Sequence, residues 1–179
     1  MGKLLVVVDM QNDFVHGALV TKEAQAVVDR VVSKIENFNG RVIATLDTHQ
    51  QNYLETLEGK KLPVPHCIKM SEGWQLNAQV LSALSKKDYM TIEKDTFGST
   101  ELVKEISRRM EKEELEVELV GLCTDICVVS NALLLKAHFP QMQISVDADC
   151  CAGVTPKTHQ AALDTMHMCQ IEITGSSDS

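Results

Sequence analysis

The chain has 179 residues, enough for one domain with a sizeable core. Hydrophobic residues make up 44% and charged residues 23%, a globular balance that excludes a disordered chain. A net charge of -8 excludes a general binder of nucleic acid or anionic membrane, since both need a basic surface. Leu4-Leu5-Val6-Val7-Val8 is a continuous apolar run, as in a strand covered on both faces. It is too short to span a bilayer, and with Asp9 directly after it, it does not have the form of a signal peptide. Val27, Val28, Val31, Val32, Ile35 and Phe38 recur at helical spacing, with Thr21 as N-cap and Gly40 as stop. Arg41 to Leu46 reads as a second strand. Asp47 to Glu72 follows as a long loop with little periodicity, and loops of that length are usually functional. Val80, Leu81 and Leu84 mark a short helix, Tyr89 to Ile92 a third strand, and Ser99 caps a helix carrying Leu102, Val103, Ile106 and Met110. Val117 to Val120 is a fourth strand, Ile126 to Phe139 a largely apolar helix, and Ile144 to Val146 a fifth strand. Thr155-Pro156 opens another helix with proline at its tolerated first position, and Ile171 to Ile173 closes the set.

This alternation predicts a three-layer α/β/α fold around a six-stranded, mostly parallel sheet of Rossmann-like design. A single domain over residues 1–175 and a flexible tail at 176–179 are expected. Six cysteines in such a chain point to free thiols in a reducing compartment, hence the cytoplasm.

In a parallel α/β sheet the site lies beyond the carboxyl ends of the strands. Asp9 ends the first strand, Asp47 and His49 the second and Lys94 the third, and Gly121 to Cys127 follow the fourth. Cys127 sits where a strand turns into a helix, so the helix dipole is expected to lower its pKa and free backbone N–H groups to hold an oxyanion. Free cysteines are ordinarily small buried apolar residues. The strand-to-helix position sets Cys127 apart from Cys67, Cys123, Cys150, Cys151 and Cys169. Asp9 is costly to bury unless paired. Together with Lys94 it brings a base and a cation to the thiol's edge of the sheet, able to take its proton and to stabilise the thiolate. Asp47-Thr48-His49 puts two ligand-type residues on one side of an extended chain, and Glu58 and His66 can fold back from the loop. Two imidazoles and two carboxylates suit one divalent metal ion: Zn, Mn or Fe(II). The competing reading is a polar loop with scattered acids and histidines. His16, His138, His159 and His167 read as surface or helix residues. No phosphate loop is present.

These segments resemble the isochorismatase-like cysteine hydrolases, and within them the nicotinamidases, over about Leu4 to Ile173. The motifs are Val8-Asp9-Met10-Gln11-Asn12-Asp13-Phe14, Glu93-Lys94-Asp95-Thr96-Phe97-Gly98-Ser99 and Gly121 through Val128. The resemblance implies Asp9 as general base, Lys94 as stabiliser of the thiolate and transition state, and Cys127 as nucleophile. It implies a cis peptide at Leu122-Cys123 and an oxyanion hole from the Cys123 and Cys127 amides. Asp47, His49 and His66 match the metal segment. Tyr53 stands where many members have a histidine, and Glu58 fits a variant with a loop glutamate, with Glu55 as the fallback. Pro63 replaces a common aromatic, Phe14 remains as an aromatic wall, and Trp74 is a second candidate. The implied activity is metal-dependent hydrolysis of nicotinamide through a thioester, in NAD salvage, by a homo-oligomer whose partner is a small-molecule amide. The alternatives are isochorismate or carbamoyl-amide hydrolysis on the same scaffold, or a non-catalytic α/β binding module.

Overall fold

The computed structural model describes residues 1–175, so the tail expected at 176–179 lies outside the described residues. Six strands form one sheet: β1 (Gly2–Val8), β2 (Arg41–Asp47), β3 (Tyr89–Lys94), β4 (Leu115–Leu122), β5 (Gln143–Ala152) and β6 (Glu172–Thr174). Their order is β3-β2-β1-β4-β5-β6, and every pairing is parallel. β1 lies between β2 and β4, so successive connections leave it in opposite directions and open a crevice beyond its carboxyl end.

Side chains alternate across a strand, and β1 feeds both faces of the sheet. Leu4, Val6 and Val8 pack with helices α6 (Thr100–Met110), α7 (Val129–His138) and α8 (Pro156–Met168), through Leu102, Ile106, Ala132, Leu135, Leu163 and Met166. Leu5 and Val7 pack on the other face with Val28, Val31 and Ile35 of α3 (Val28–Asn37), and Val80 and Leu84 of α5 (Ala78–Leu84). Full burial of each such Leu, Ile or Val contributes about 1.5–3 kcal/mol. The expected caps form: Thr21, Ser99 and Thr155 accept hydrogen bonds from the N–H groups of Ala24, Leu102 and Thr158.

Four expectations need correction. After a short helix α1 (Asn12–Val15), the helical run following Thr21 is two helices, α2 (Lys22–Ala26) and α3, which meet at Val27. The segment from Asp47 to Glu72 is partly ordered by a one-turn 3₁₀ segment, Tyr53–Glu55, and a short helix, α4 (Leu57–Lys61), capped by Thr56. β5 runs to Ala152, well past Val146. Its pairing with β4 slips between Leu119 and Gly121, and the irregular stretch carries Asp147, whose carboxylate pairs with Lys34 at 2.7 Å. The helix expected from Ile126 begins earlier, as a wide turn over Thr124–Val128 that feeds α7.

Candidate active site

Four strand ends meet at the crevice. The chain turns sharply at Asp9, whose φ of +49° lies in the left-handed region, rare for a non-glycine residue. Beside it the β4 backbone comes close to β1: a Cβ on Gly121 (φ +116°) would lie 2.2 Å from the Val8 carbonyl oxygen, so only glycine fits. The Asp9 carboxylate is fully buried. Its Oδ1 accepts a 2.6 Å hydrogen bond from the Thr45 hydroxyl, and its Oδ2 lies 2.7 Å from the Lys94 ammonium. Lys94 also donates to Cys127 Sγ at 3.3 Å and to the Thr96 carbonyl at 3.1 Å. Carboxylate, ammonium and thiol are thus one contiguous buried cluster.

Their electrostatics follow from burial and pairing. Burial disfavours the Lys94 ammonium, but the Asp9 carboxylate and the neighbouring Cys127 and Asp47 outweigh it and hold Lys94 protonated. Burial raises the Asp9 pKa, against the opposing pull of Lys94. Burial, with Asp9 beside it, pushes the Cys127 thiol well above its ordinary value, in spite of Lys94. The sequence expectation of a thiol lowered by a helix dipole is therefore corrected. The resting thiol keeps its proton, because a dry site next to a carboxylate dominates over the end of a helix. The Leu122–Cys123 peptide is cis, as the family resemblance implied.

The second constellation adjoins the first. Donor atoms of Asp47, His49 and His66 all lie within 4.8 Å of one another, and all three residues are buried. Asp47 Oδ2 is 3.1 Å from His49 Nε2 and 3.4 Å from His66 Nε2. Burial opposes ionisation of Asp47, but hydrogen bonds to the two histidines, with Lys94 nearby, hold its carboxyl below the usual range. His66 Nδ1 lies 2.8 Å from the Val64 carbonyl, which can only accept, so Nδ1 carries a proton, and Nε2, which faces the Asp47 carboxylate, is the atom that would give up its proton to a metal. Two imidazoles and a carboxylate with converging donors fit a divalent metal. Glu58 stands at the edge of this group, with Oε1 3.7 Å from His49 Nε2 and 3.8 Å from His66 Nε2. Glu55 is exposed. The Tyr53 hydroxyl donates to the Leu62 carbonyl, and its ring packs edge-on against both histidines at 4.8 and 5.0 Å, so Tyr53 is a wall of the site and no ligand. Asp47 Oδ1 is 3.9 Å from Lys94 Nζ, which joins the two constellations.

One cavity of about 590 Å³ opens onto both. Cys123 and Cys127 line it together with Asp47, Glu58 and His66, and Phe14, Leu62 and Phe97 add apolar lining. The Phe14 ring lies 5.8 Å from that of His66. Trp74 does not line it; its indole N–H donates to the Thr48 hydroxyl. A larger groove of about 780 Å³, beside Lys34, Glu118 and Cys150, shares no residue with this chemistry. Sequence reasoning missed the supports. Thr45 braces Asp9; Gln11 donates to the Asp47 carbonyl and accepts from the Asp47 N–H, both at 2.8 Å; Asp13 accepts from the Cys67 N–H at 2.7 Å and so holds the His66 segment. Thr45 had a legible signal, because it shares a strand face with Asp47. Half-buried His159, read as an ordinary helix residue, lies 2.7 Å from the fully buried Thr124 hydroxyl, under the wide turn.

The fold and site define a doubly wound α/β protein with a buried thiol, ammonium and carboxylate at its switch point. The profile of the isochorismatase domain matches residues 3–178, and the chain belongs to the isochorismatase family. It is 31% identical to an uncharacterized isochorismatase family protein of Bacillus subtilis, over 91% of this chain and 93% of that one. It is 27% identical to the nicotinamidase/pyrazinamidase of Mycobacterium tuberculosis, over 98% of this chain and all of that one. The crystal structure of a nicotinamidase/pyrazinamidase from Bacillus subtilis superposes with a TM-score of 0.82 at 26% identity, covering 97% of this chain and 100% of that one.

Proposed function

We propose that this chain is a nicotinamidase-type amide hydrolase that converts nicotinamide and water to nicotinate and ammonia, with Cys127 as nucleophile. The observation that carries the reading is that one cavity is lined by Cys127 and by Asp47, Glu58 and His66 together. Relatives whose names state nicotinamidase or pyrazinamidase activity support it.

Asp9 takes the thiol proton as Cys127 Sγ attacks the carboxamide carbon, and the Lys94 ammonium stabilises the sulfur while it is negative. The backbone N–H groups of Cys123 and Cys127 hold the tetrahedral oxyanion. Its collapse breaks the C–N bond, and the proton on Asp9 goes to the leaving ammonia, which leaves a thioester. Asp9 then deprotonates a water that attacks the thioester carbon. Breaking the C–S bond releases nicotinic acid, which ionises to nicotinate by giving its proton to ammonia or solvent, and the proton on Asp9 returns to the thiol. Asp47, His49 and His66, with Glu58, would hold one divalent metal ion (Zn, Mn or Fe), which when bound supplies a Lewis-acid anchor for the pyridine nitrogen. Phe14 packs against the ring. A raised Cys127 pKa agrees with this scheme, since a thiol that keeps its proton at rest needs the adjacent base. The same reading has one hydrolase domain over residues 1–175 and a role in NAD salvage in the cytoplasm. All six thiols are free, which supports a reducing compartment.

Ammonia release is to be followed on nicotinamide, with isochorismate hydrolysis and an N-carbamoyl amine run in parallel. The expected result is turnover of nicotinamide, with KM raised by chelation and restored by adding back metal. Turnover of either comparator without nicotinamide hydrolysis, or a full rate on nicotinamide in metal-free protein, would overturn this part of the reading.

A further inference from the structure

Lys94 and Cys127 come from different parts of the chain and have to be held at contact distance, and one side chain outside the cluster spans the two segments that carry them. Asn131, in the first turn of α7, is fully buried. Its Nδ2 donates to the Cys127 carbonyl at 2.8 Å and to the Phe97 carbonyl at 3.1 Å. Its Oδ1 accepts from the Ser99 N–H at 2.8 Å. Both amide hydrogens and the carbonyl of this one side chain are thus used, each on backbone.

We propose that Asn131 is a positioning residue that locks the Cys127 turn to the loop following Lys94. The inference rests on the assignment of Cys127 and Lys94 as the reacting pair. Three further contacts anchor this loop. The Thr96 carbonyl receives the Lys94 ammonium, so the loop that Asn131 grips also touches the lysine head. Gly98 lies so close to α7 that a Cβ there would sit 3.2 Å from the Ser130 carbonyl oxygen. Ser99, whose N–H is held by Asn131, caps α6 through the Leu102 N–H. The turn itself is wide: the Val128 N–H bonds the Cys123 carbonyl five residues back. Wide turns of this kind recur at functional sites. A carboxamide is the group the position needs, because it donates twice and accepts once. A carboxylate would set an oxygen against two carbonyl oxygens, and an apolar side chain would leave three buried backbone groups without this partner.

The test uses Asn131→Asp, which keeps the shape and the acceptor, and Asn131→Leu, which keeps the volume and loses every bond. Two quantities are measured on the full chain: kcat and KM for nicotinamide, and the rate at which iodoacetamide alkylates Cys127, resolved from the other cysteines by peptide mapping. Misplacing a reacting group by about 1 Å costs on the order of 100-fold. The expected result is therefore a kcat lower by about 10- to 100-fold with KM within about twofold, and a matching slowing of Cys127 alkylation, while Cys169 alkylation is unchanged. Should Asn131→Leu not fold, Asn131→Asp carries the test. Wild-type kcat and wild-type Cys127 alkylation in a folded Asn131→Asp chain would overturn the proposal, as would a rise in KM alone. Alkylation is read without substrate, so a wild-type chain inactive on nicotinamide would defeat the proposed substrate and still leave the role of Asn131 measurable.

Discussion

At the scale of single residues, the chemistry depends on what burial does to three titratable groups. Asp9 and Lys94 are both almost without solvent, and each partners the other at 2.7 Å, which offsets the cost of burying either charge. Removing one member of such a pair leaves an unpaired buried charge, which costs about 3–5 kcal/mol. Lys94→Met is therefore expected to lower stability as well as turnover. Asp9→Asn keeps shape and the Thr45 contact but removes the base, so kcat for nicotinamide should fall by about 10²–10⁴-fold. Because the Asp9 carboxylate helps to raise the Cys127 pKa, the same variant should speed alkylation of Cys127 while it slows turnover. Steady-state kinetics beside a urea unfolding curve separates the two losses. Wild-type turnover in Asp9→Asn would assign the proton transfer to another group.

At the scale of elements, the ends of the strands were legible in the sequence and the supports behind them were not. Asp9, Asp47 and Lys94 stand out because a charged residue closes a run of apolar ones, and a parallel sheet delivers all such ends to one edge. Glu58 and His66 were readable as ligand-type residues of a long loop but not as neighbours of Asp47 and His49, since a loop has no period. The structure explains their approach by α4, which starts at the Thr56 cap, and by the Asp13 bond to the Cys67 N–H. β5 was cut short because Asp147 to Cys150 lacks the β-branched residues that mark a strand, and Asp147 is satisfied by Lys34 from α3, a partner distant in sequence. Asn131 was invisible for a related reason: one buried asparagine in an apolar helix becomes informative only when its three backbone partners are known. Two predictions belong to this scale. Glu58→Gln should lower metal content after dialysis and Glu55→Gln should not, by elemental analysis of the purified chains; the reverse ranking would move the loop ligand to Glu55. His159 supports the wide turn, and burial lowers its pKa. The unfolded chain therefore binds a proton at the ordinary histidine value while the folded chain resists it, so its contribution to stability is present above that value and is lost as pH falls through it. Between about pH 7.5 and about pH 5.5, the urea midpoint should drop more in wild type than in His159→Gln, and equal drops would remove His159 from the account.

At the scale of the whole molecule, the order β3-β2-β1-β4-β5-β6 does most of the functional work. It puts β1 at the switch point, so Asp9 stands between the metal-type residues at the end of β2 and the thiol after β4, with Lys94 reaching across from β3. The two helical layers bury the β1–β4 core on both faces and leave the carboxyl edge open to one cavity. This arrangement makes the central claim a claim about a single atom, the Cys127 sulfur. Its direct test is ammonia release from nicotinamide by wild type and by Cys127→Ala, with circular dichroism spectra and urea midpoints showing that the variant folds. The account predicts ammonia from wild type and none above the uncatalysed background from the folded variant. Substantial ammonia release by folded Cys127→Ala would contradict it.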